Sequence, residues 1–218
     1  MTPVSAVLLD LDGTLIDAND AIVEGVAEVA AGLGLEVPTR DWLMGRIGKP
    51  PDETWTAMGA DPVEANQIFI DRHAADVRAR SRVIDGVVET LTALSDAGLP
   101  LAVATTRVAR SAEAVLIEKG LRDHFRFILG RDDVPAPKPA PDIIHAAAAR
   151  LEVEVSACLM VGDTEADVGA ARAAGARAWA VLGGIGTEQA LREAGADLIL
   201  STISDLPRRL HEQAVQRR

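Results

Sequence analysis

From residue 86 onward the chain alternates between short apolar runs and helix-patterned stretches with few residues between them. That alternation leaves little choice of fold. The runs at 99–104, 127–129, 157–161, 178–182 and 198–200 read as strands buried on both faces. The stretches at 86–97, 111–119, 141–150, 165–174, 187–194 and 205–214 read as helices, several of them stopped by a glycine such as Gly98, Gly120 or Gly175. One more apolar run, residues 4–9, opens the chain. Short connections between such elements predict an α/β fold, a doubly wound parallel sheet with right-handed crossovers.

The alternation breaks once, directly after the first strand. Residues 16–80 read as helical throughout, with no strand candidate. Ile22, Val23, Val26 and Val29 share a helix face that Gly32 and Gly34 close. Thr39 can cap a second helix carrying Trp42 and Leu43, and Asp61-Pro62 opens a third toward Arg80. The expected organisation is an α/β core domain of residues 1–15 and 81–218, interrupted by a helical cap domain of residues 16–80. Trp42 and Trp55 are expected in the core of that cap.

Composition removes several classes of function. The 218 residues carry 33 acidic and 22 basic side chains, a formal charge of −11. A chain this acidic is not built to hold nucleic-acid phosphates, nor to adsorb to anionic membranes. No apolar run approaches the roughly 18 residues of a spanning helix, and no basic stretch precedes an apolar one at the N-terminus. A cytoplasmic protein is expected, either a monomer or a homodimer. The single cysteine, Cys158, lies in an apolar strand and reads as a small buried hydrophobe. His73, His124, His145 and His211 have no metal-ligand spacing.

Three of the strands end in polar groups, and in a doubly wound sheet ligands bind beyond such ends. The first ends Asp10-Leu11-Asp12-Gly13-Thr14, the second Thr105-Thr106, and the third Gly162-Asp163. Asp10 and Asp12, two apart on an extended chain, share a face. Close carboxylates resist joint ionisation, so one is protonated or a metal neutralises it. Asp163 brings a third acid, and an all-oxygen cluster suits Mg²⁺ rather than Zn²⁺. Lys138 sits between Pro137 and Pro139 and is one of only three lysines. A compact ammonium on a stiff loop suits a phosphoryl oxygen or a carboxylate. Asp167 follows Asp163 by one helical turn. By contrast, Gly48-Lys49-Pro50 is not a phosphate-binding P-loop, and Gly183-Gly184-Ile185-Gly186 reads as a flexible loop.

Taken in order, Asp10 to Thr14, the strand-end Thr105, Lys138 to Asp142 in the form KPxPD, and Gly162 to Asp167 in the form GDxxxD resemble the four motifs of the haloacid dehalogenase superfamily. A helical insertion after the first motif is similar to the phosphoglycolate-phosphatase-like arrangement. The resemblance implies a Mg²⁺-dependent phosphatase acting on a small anionic phosphate ester, phosphoglycolate-like or a sugar phosphate, through an aspartyl-phosphate. It implies Asp10 as nucleophile and Asp12 as general acid and then base. Thr105 and Lys138 would bind phosphoryl oxygens, with Thr106 beside them where relatives often carry Asn. Mg²⁺ would be held by Asp10, the backbone carbonyl of Asp12, and Asp163, with Asp167 behind them orienting Lys138 or a water. Arg46 and Lys49 are candidates for recognising an anionic group on the substrate. A sugar-phosphate mutase of the same superfamily keeps both Asp10 and Asp12 and is the enzymatic alternative. A C–P hydrolase of the phosphonoacetaldehyde type lacks the second of these acids and fits less well.

Overall fold

The computed structural model describes residues 2–215. Six parallel strands form the main sheet: β1 (Ala6–Leu9), β4 (Leu101–Ala104), β5 (Phe127–Leu129), β6 (Cys158–Gly162), β7 (Arg177–Val181) and β8 (Leu198–Leu200). Their order is β5-β4-β1-β6-β7-β8. The chain builds outward from β1 on one side, then returns to build on the other. β1 and its neighbours β4 and β6 therefore flank the point where the strand order reverses.

The strands are buried because both faces are covered, and the pleat sorts their side chains. Val7, Leu9, Leu101, Val103, Leu159, Val161, Trp179 and Val181 point to one face. There they meet α5 (Val87–Asp96), α6 (Ala109–Glu118) and α10 (Leu206–Val215). The alternate residues Ala6, Leu8, Ala102, Ala104, Met160, Ala178 and Ala180 point to the other. They meet α7 (Asp142–Leu151), α8 (Glu165–Ala174) and α9 (Glu188–Glu193). Cys158 is fully buried in this second face, and burial pushes its thiol up to about 11, so it is not a reactive thiolate. No helix among the described residues is long and apolar enough to cross a membrane.

Four helices leave the sheet after β1. They are α1 (Asn19–Gly32), α2 (Arg40–Met44), α3 (Pro51–Ala57) and α4 (Pro62–Arg80). Thr39 caps α2 by accepting a hydrogen bond from the Trp42 N–H, and Asp61 caps α4 by accepting from Val63 and Glu64, as the sequence predicts. α1 and α3 both pack on α4 around Val29, Trp55 and Ala65.

Two expectations need correction. The stretch from residue 16 is not free of strand: β2 (Ile16–Asp17) pairs antiparallel with β3 (Arg82–Val83). This ribbon is where the chain leaves for the helices and returns, and the Arg82–Asp17 ion pair adds to it. A two-residue strand carries no periodicity, so pattern reading cannot find it. Nor is Trp42 a core residue. It is partly exposed, and the Arg46 guanidinium lies 4.4 Å from its ring centre, whereas Trp55 is buried as expected. α3 was also not anticipated as a separate helix. Pro50-Pro51 starts it by placing proline in a first turn that needs no N–H.

Candidate active site

Asp10 and Asp163 are delivered by strand ends, and Asp167 by the helix that follows, as the sequence implies. Asp10 follows β1 directly and is almost fully buried. Gly13, at φ 83°, turns the chain immediately after it. A Cβ at this glycine would lie 2.3 Å from an Asp163 carboxylate oxygen, so the turn needs glycine for space as well as for conformation. Asp163 follows β6 and has no exposed surface. Asp167 lies in the first turn of α8 and closes a capping box with Thr164, accepting from its backbone N–H at 3.0 Å and its hydroxyl at 2.6 Å.

Lys138, only 2% exposed, joins these elements. Its ammonium donates to Asp10 Oδ1 at 2.8 Å, to the Ala104 carbonyl at the end of β4 at 2.9 Å, and to Asp167 Oδ1. All three ammonium hydrogens thus have acceptors. Burial alone disfavours the ammonium, but the Asp10 and Asp167 carboxylates outweigh it and hold the lysine above its ordinary pKa. Asp10 is driven well above the usual carboxylate range by burial, a rise that Lys138 only partly offsets. Asp163 is pushed up to about 7, chiefly by burial and next by Asp167, against hydrogen bonds from the Ile185 N–H (3.0 Å) and the Thr14 hydroxyl (3.2 Å).

Oxygen atoms of Asp10, Asp163 and Asp167 lie within 4.8 Å of one another. If all three ionise, Lys138 leaves two negative charges uncompensated in a buried space. A hard divalent cation with oxygen ligands fits that deficit in both charge and donor type.

Asp12 departs from expectation. The sequence reading treats it as one of two mutually repelling carboxylates; the structure gives it a cation of its own. Arg107 grips it with Nε and one terminal nitrogen, each at 2.6 Å. Such a planar fork fixes a carboxylate's orientation as well as its charge. Burial works against the charged guanidinium, and Asp12 more than compensates, so Arg107 stays above its ordinary pKa. Sequence reasoning missed this residue. Its signal was a cation two positions beyond the strand-end Thr105, whose buried hydroxyl accepts the Arg107 backbone N–H at 3.1 Å. Thr106 borders the same space.

The 183–186 loop also has a role that its composition hides. The Ile185 N–H binds the Asp163 carboxylate, and the Gly186 N–H donates to the Asp163 carbonyl at 3.1 Å. A Cβ at Gly184 would lie 1.9 Å from the carboxylate, so only glycine lets the loop come this near.

From the helical side, the turn between α2 and α3 faces the site. Gly48, at φ 81°, lies against Thr164: a Cβ there would be 2.7 Å from its methyl group. Ile47, Gly48 and Lys49 border two cavities, one of about 770 Å³ reaching Lys138 and Thr164, the other of about 530 Å³ reaching Asp12 and Arg107. Arg46 lines the second cavity as well. The structure thus brings Asp10, Lys138, Asp163 and Asp167 together, joins Thr105 to Arg107, and places Arg46, Lys49 and Thr106 on the cavity that reaches Asp12 and Arg107.

A family model for haloacid dehalogenase-like hydrolases matches residues 7–181. The chain belongs to this family. It is 35% identical over 208 residues to a Dickeya dadantii protein named "Probable phosphatase IndB", covering 92% of this chain and 90% of that one. It is 32% identical over 213 residues to a phosphoglycolate phosphatase of Caulobacter vibrioides, covering 94% and 90%. Among solved structures, a haloacid dehalogenase-like hydrolase of Streptococcus pneumoniae superposes with a TM-score of 0.86 at 25% identity, covering 94% of this chain and 98% of that one. The Rossmann-like sheet and its four motifs are thus those of a haloacid dehalogenase-like hydrolase.

Proposed function

We propose that this hydrolase is a Mg²⁺-dependent phosphatase that cleaves small-molecule phosphate monoesters through an aspartyl-phosphate on Asp10. The observation that carries the reading is Asp10 itself. It is a buried carboxylate held by an ammonium and flanked by two further acids at the switch point of the sheet. Relatives named as phosphatases support the choice of phosphorus as the atom attacked.

An Asp10 oxygen attacks phosphorus in line, and the P–O bond to the leaving group breaks. Asp12 supplies the proton to the leaving oxygen, then takes one from the water that cleaves the acyl-phosphate and releases inorganic phosphate. Both Asp12 oxygens are engaged by Arg107 in this structure, so the proton transfer requires the fork to release one of them. Lys138 and Thr105 would offset charge on the phosphoryl oxygens. Asp10, Asp163 and the Asp12 carbonyl would hold Mg²⁺, which neutralises phosphoryl charge when bound. Asp167 keeps Lys138 turned toward Asp10. Helices α1 to α4 act as the cap over residues 16–80, and the 45–50 turn closes on the Thr164 side of the site and excludes water. Arg46 and Lys49 attract the ester from the cap side.

The test is phosphate release from a panel of monoesters, phosphoglycolate and sugar phosphates included, with Mg²⁺ and with EDTA. Turnover should vanish in EDTA, and Asp10→Asn should lose at least about 10³-fold in kcat. Substantial activity in a folded Asp10→Asn protein would overturn the nucleophile. Phosphoryl transfer to a sugar in place of water would make the enzyme a mutase.

A further inference from the structure

The 530 Å³ cavity is larger, and more apolar, than a two-carbon phosphate ester requires. At about 30 Å³ per water it has room for roughly 17 waters, and phosphoglycolate, with about nine non-hydrogen atoms, fills at most about half of that. Asp12, Thr106 and Arg107 form its end nearest the acidic cluster. From there an apolar face runs along both sides, Ile22 and Val26 from α1, Phe69, Ile70 and Ala74 from α4, and Ala114 from α6, with basic side chains such as Lys49 and Arg110 also on the lining. Ile70 is 39% exposed, a large aliphatic side chain left facing this space.

Most polar groups of the lining are already engaged: Arg78 pairs with Glu118 at 2.7 Å and Arg46 lies over the Trp42 ring, while Lys49 and Arg110 are exposed. Asp12 is the one acid there among the described residues, and Arg107 occupies it. The Asn66 amide already donates to Asp52 at 2.6 Å and accepts from the Trp55 indole at 3.0 Å. Arg131 is paired with the same Asp52, at 3.0 Å. A sugar hydroxyl moved onto the Ile22, Phe69 and Ile70 side chains gives up water without a partner there.

We infer that the leaving group of the natural ester carries an apolar body seated on the Ile22–Phe69–Ile70 wall. The substrate class is the phosphomonoester of an aliphatic or aromatic alcohol, in preference to phosphoglycolate or a sugar phosphate. This inference rests on the phosphatase reading above for its chemistry, but the seat itself does not depend on turnover.

The experiment therefore has two arms on the full chain with Mg²⁺. In the first, kcat/KM is measured for ethyl, butyl and hexyl phosphate against glycerol phosphate and phosphoglycolate. In the second, binding of ethyl-, butyl- and hexylphosphonate, which have no ester bond to cleave, is measured by calorimetry. Burial of each methylene should raise both constants about two- to fourfold until the cavity is full. Glycerol phosphate should fall at least about tenfold below butyl phosphate. Ile70→Ser, at a partly exposed site, should flatten both series. A rising phosphonate series without ester hydrolysis would keep the apolar seat and reject the phosphatase. Hydrolysis with a flat series, or with phosphoglycolate preferred, would reject the apolar seat and keep the phosphatase.

Discussion

Asp163→Asn should make the metal-free protein more stable at neutral pH while destroying its response to Mg²⁺. The carboxylate has an ordinary value of 3.8 and is held at about 7 by burial and by Asp167. A carboxylate raised in this way favours the folded state while it is protonated. Its contribution is present in full below about pH 4 and is lost as pH rises through about 7. A difference of about three units, at about 1.4 kcal/mol each, is on the order of 4 kcal/mol at pH 8. Asparagine removes that dependence and can keep the local bonds. Its carbonyl accepts the Ile185 N–H, and its amide donates to Thr14, whose hydroxyl can rotate to accept. The assay is urea unfolding in EDTA at about pH 4.5 and about pH 8, repeated with Mg²⁺. At the lower pH, parent and variant should unfold within about 1 kcal/mol of each other. At the higher pH in EDTA the variant should be more stable by about 2–4 kcal/mol. Mg²⁺ at about a hundred times its Kd should stabilise the parent by about 2.7 kcal/mol and leave the variant unmoved. A variant less stable than the parent at pH 8 in EDTA, or one following the same pH curve, would refute the argument that these acids are held together against their own repulsion for the sake of a cation.

Three further outcomes follow from the same geometry. Lys138→Met leaves Asp10 and Asp167 buried without their cation and should cost about 3–5 kcal/mol in chemical denaturation at about pH 8. A loss below about 1 kcal/mol would mean the carboxylates find other partners. Arg107→Ala should reduce kcat by about 10²-fold and cost about 1–3 kcal/mol in unfolding, because Asp12, whose side chain is only 10% exposed, loses both its fixed orientation and its cation; Arg107→Lys, which cannot form the fork, should recover only part of the kcat. Gly48→Ala introduces a Cβ 2.7 Å from the Thr164 methyl at φ 81°, so the 45–50 turn must lift. Steady-state kinetics should show a raised KM and a smaller change in kcat, with a stability loss of about 1–2 kcal/mol.

Much of this molecule was legible in its sequence because the relevant signals are local. Burial of a parallel sheet on both faces demands short unbroken apolar runs, and β1, β4, β5, β6, β7 and β8 lie where such runs fall, to within two residues. Helix caps at Thr39 and Asp61 are contacts between residues two or three apart. Asp10, Thr105 and Asp163 stand at strand ends, and adjacent parallel strands must bring their carboxyl ends together. Tertiary structure alone decided which charge faces which. Arg107 and Asp12 are 95 positions apart, and a place two residues beyond a strand-end threonine does not say which acid the arginine will face. The 183–186 loop reads as flexible until it is seen holding Asp163. The β2–β3 ribbon is too short for any period, and the apolar wall above the site exists only once α1, α4 and α6 are set face to face. Periodicity and chain reversal are written along the backbone, whereas ion pairing, desolvation and cavity shape depend on groups that only the folded chain makes neighbours.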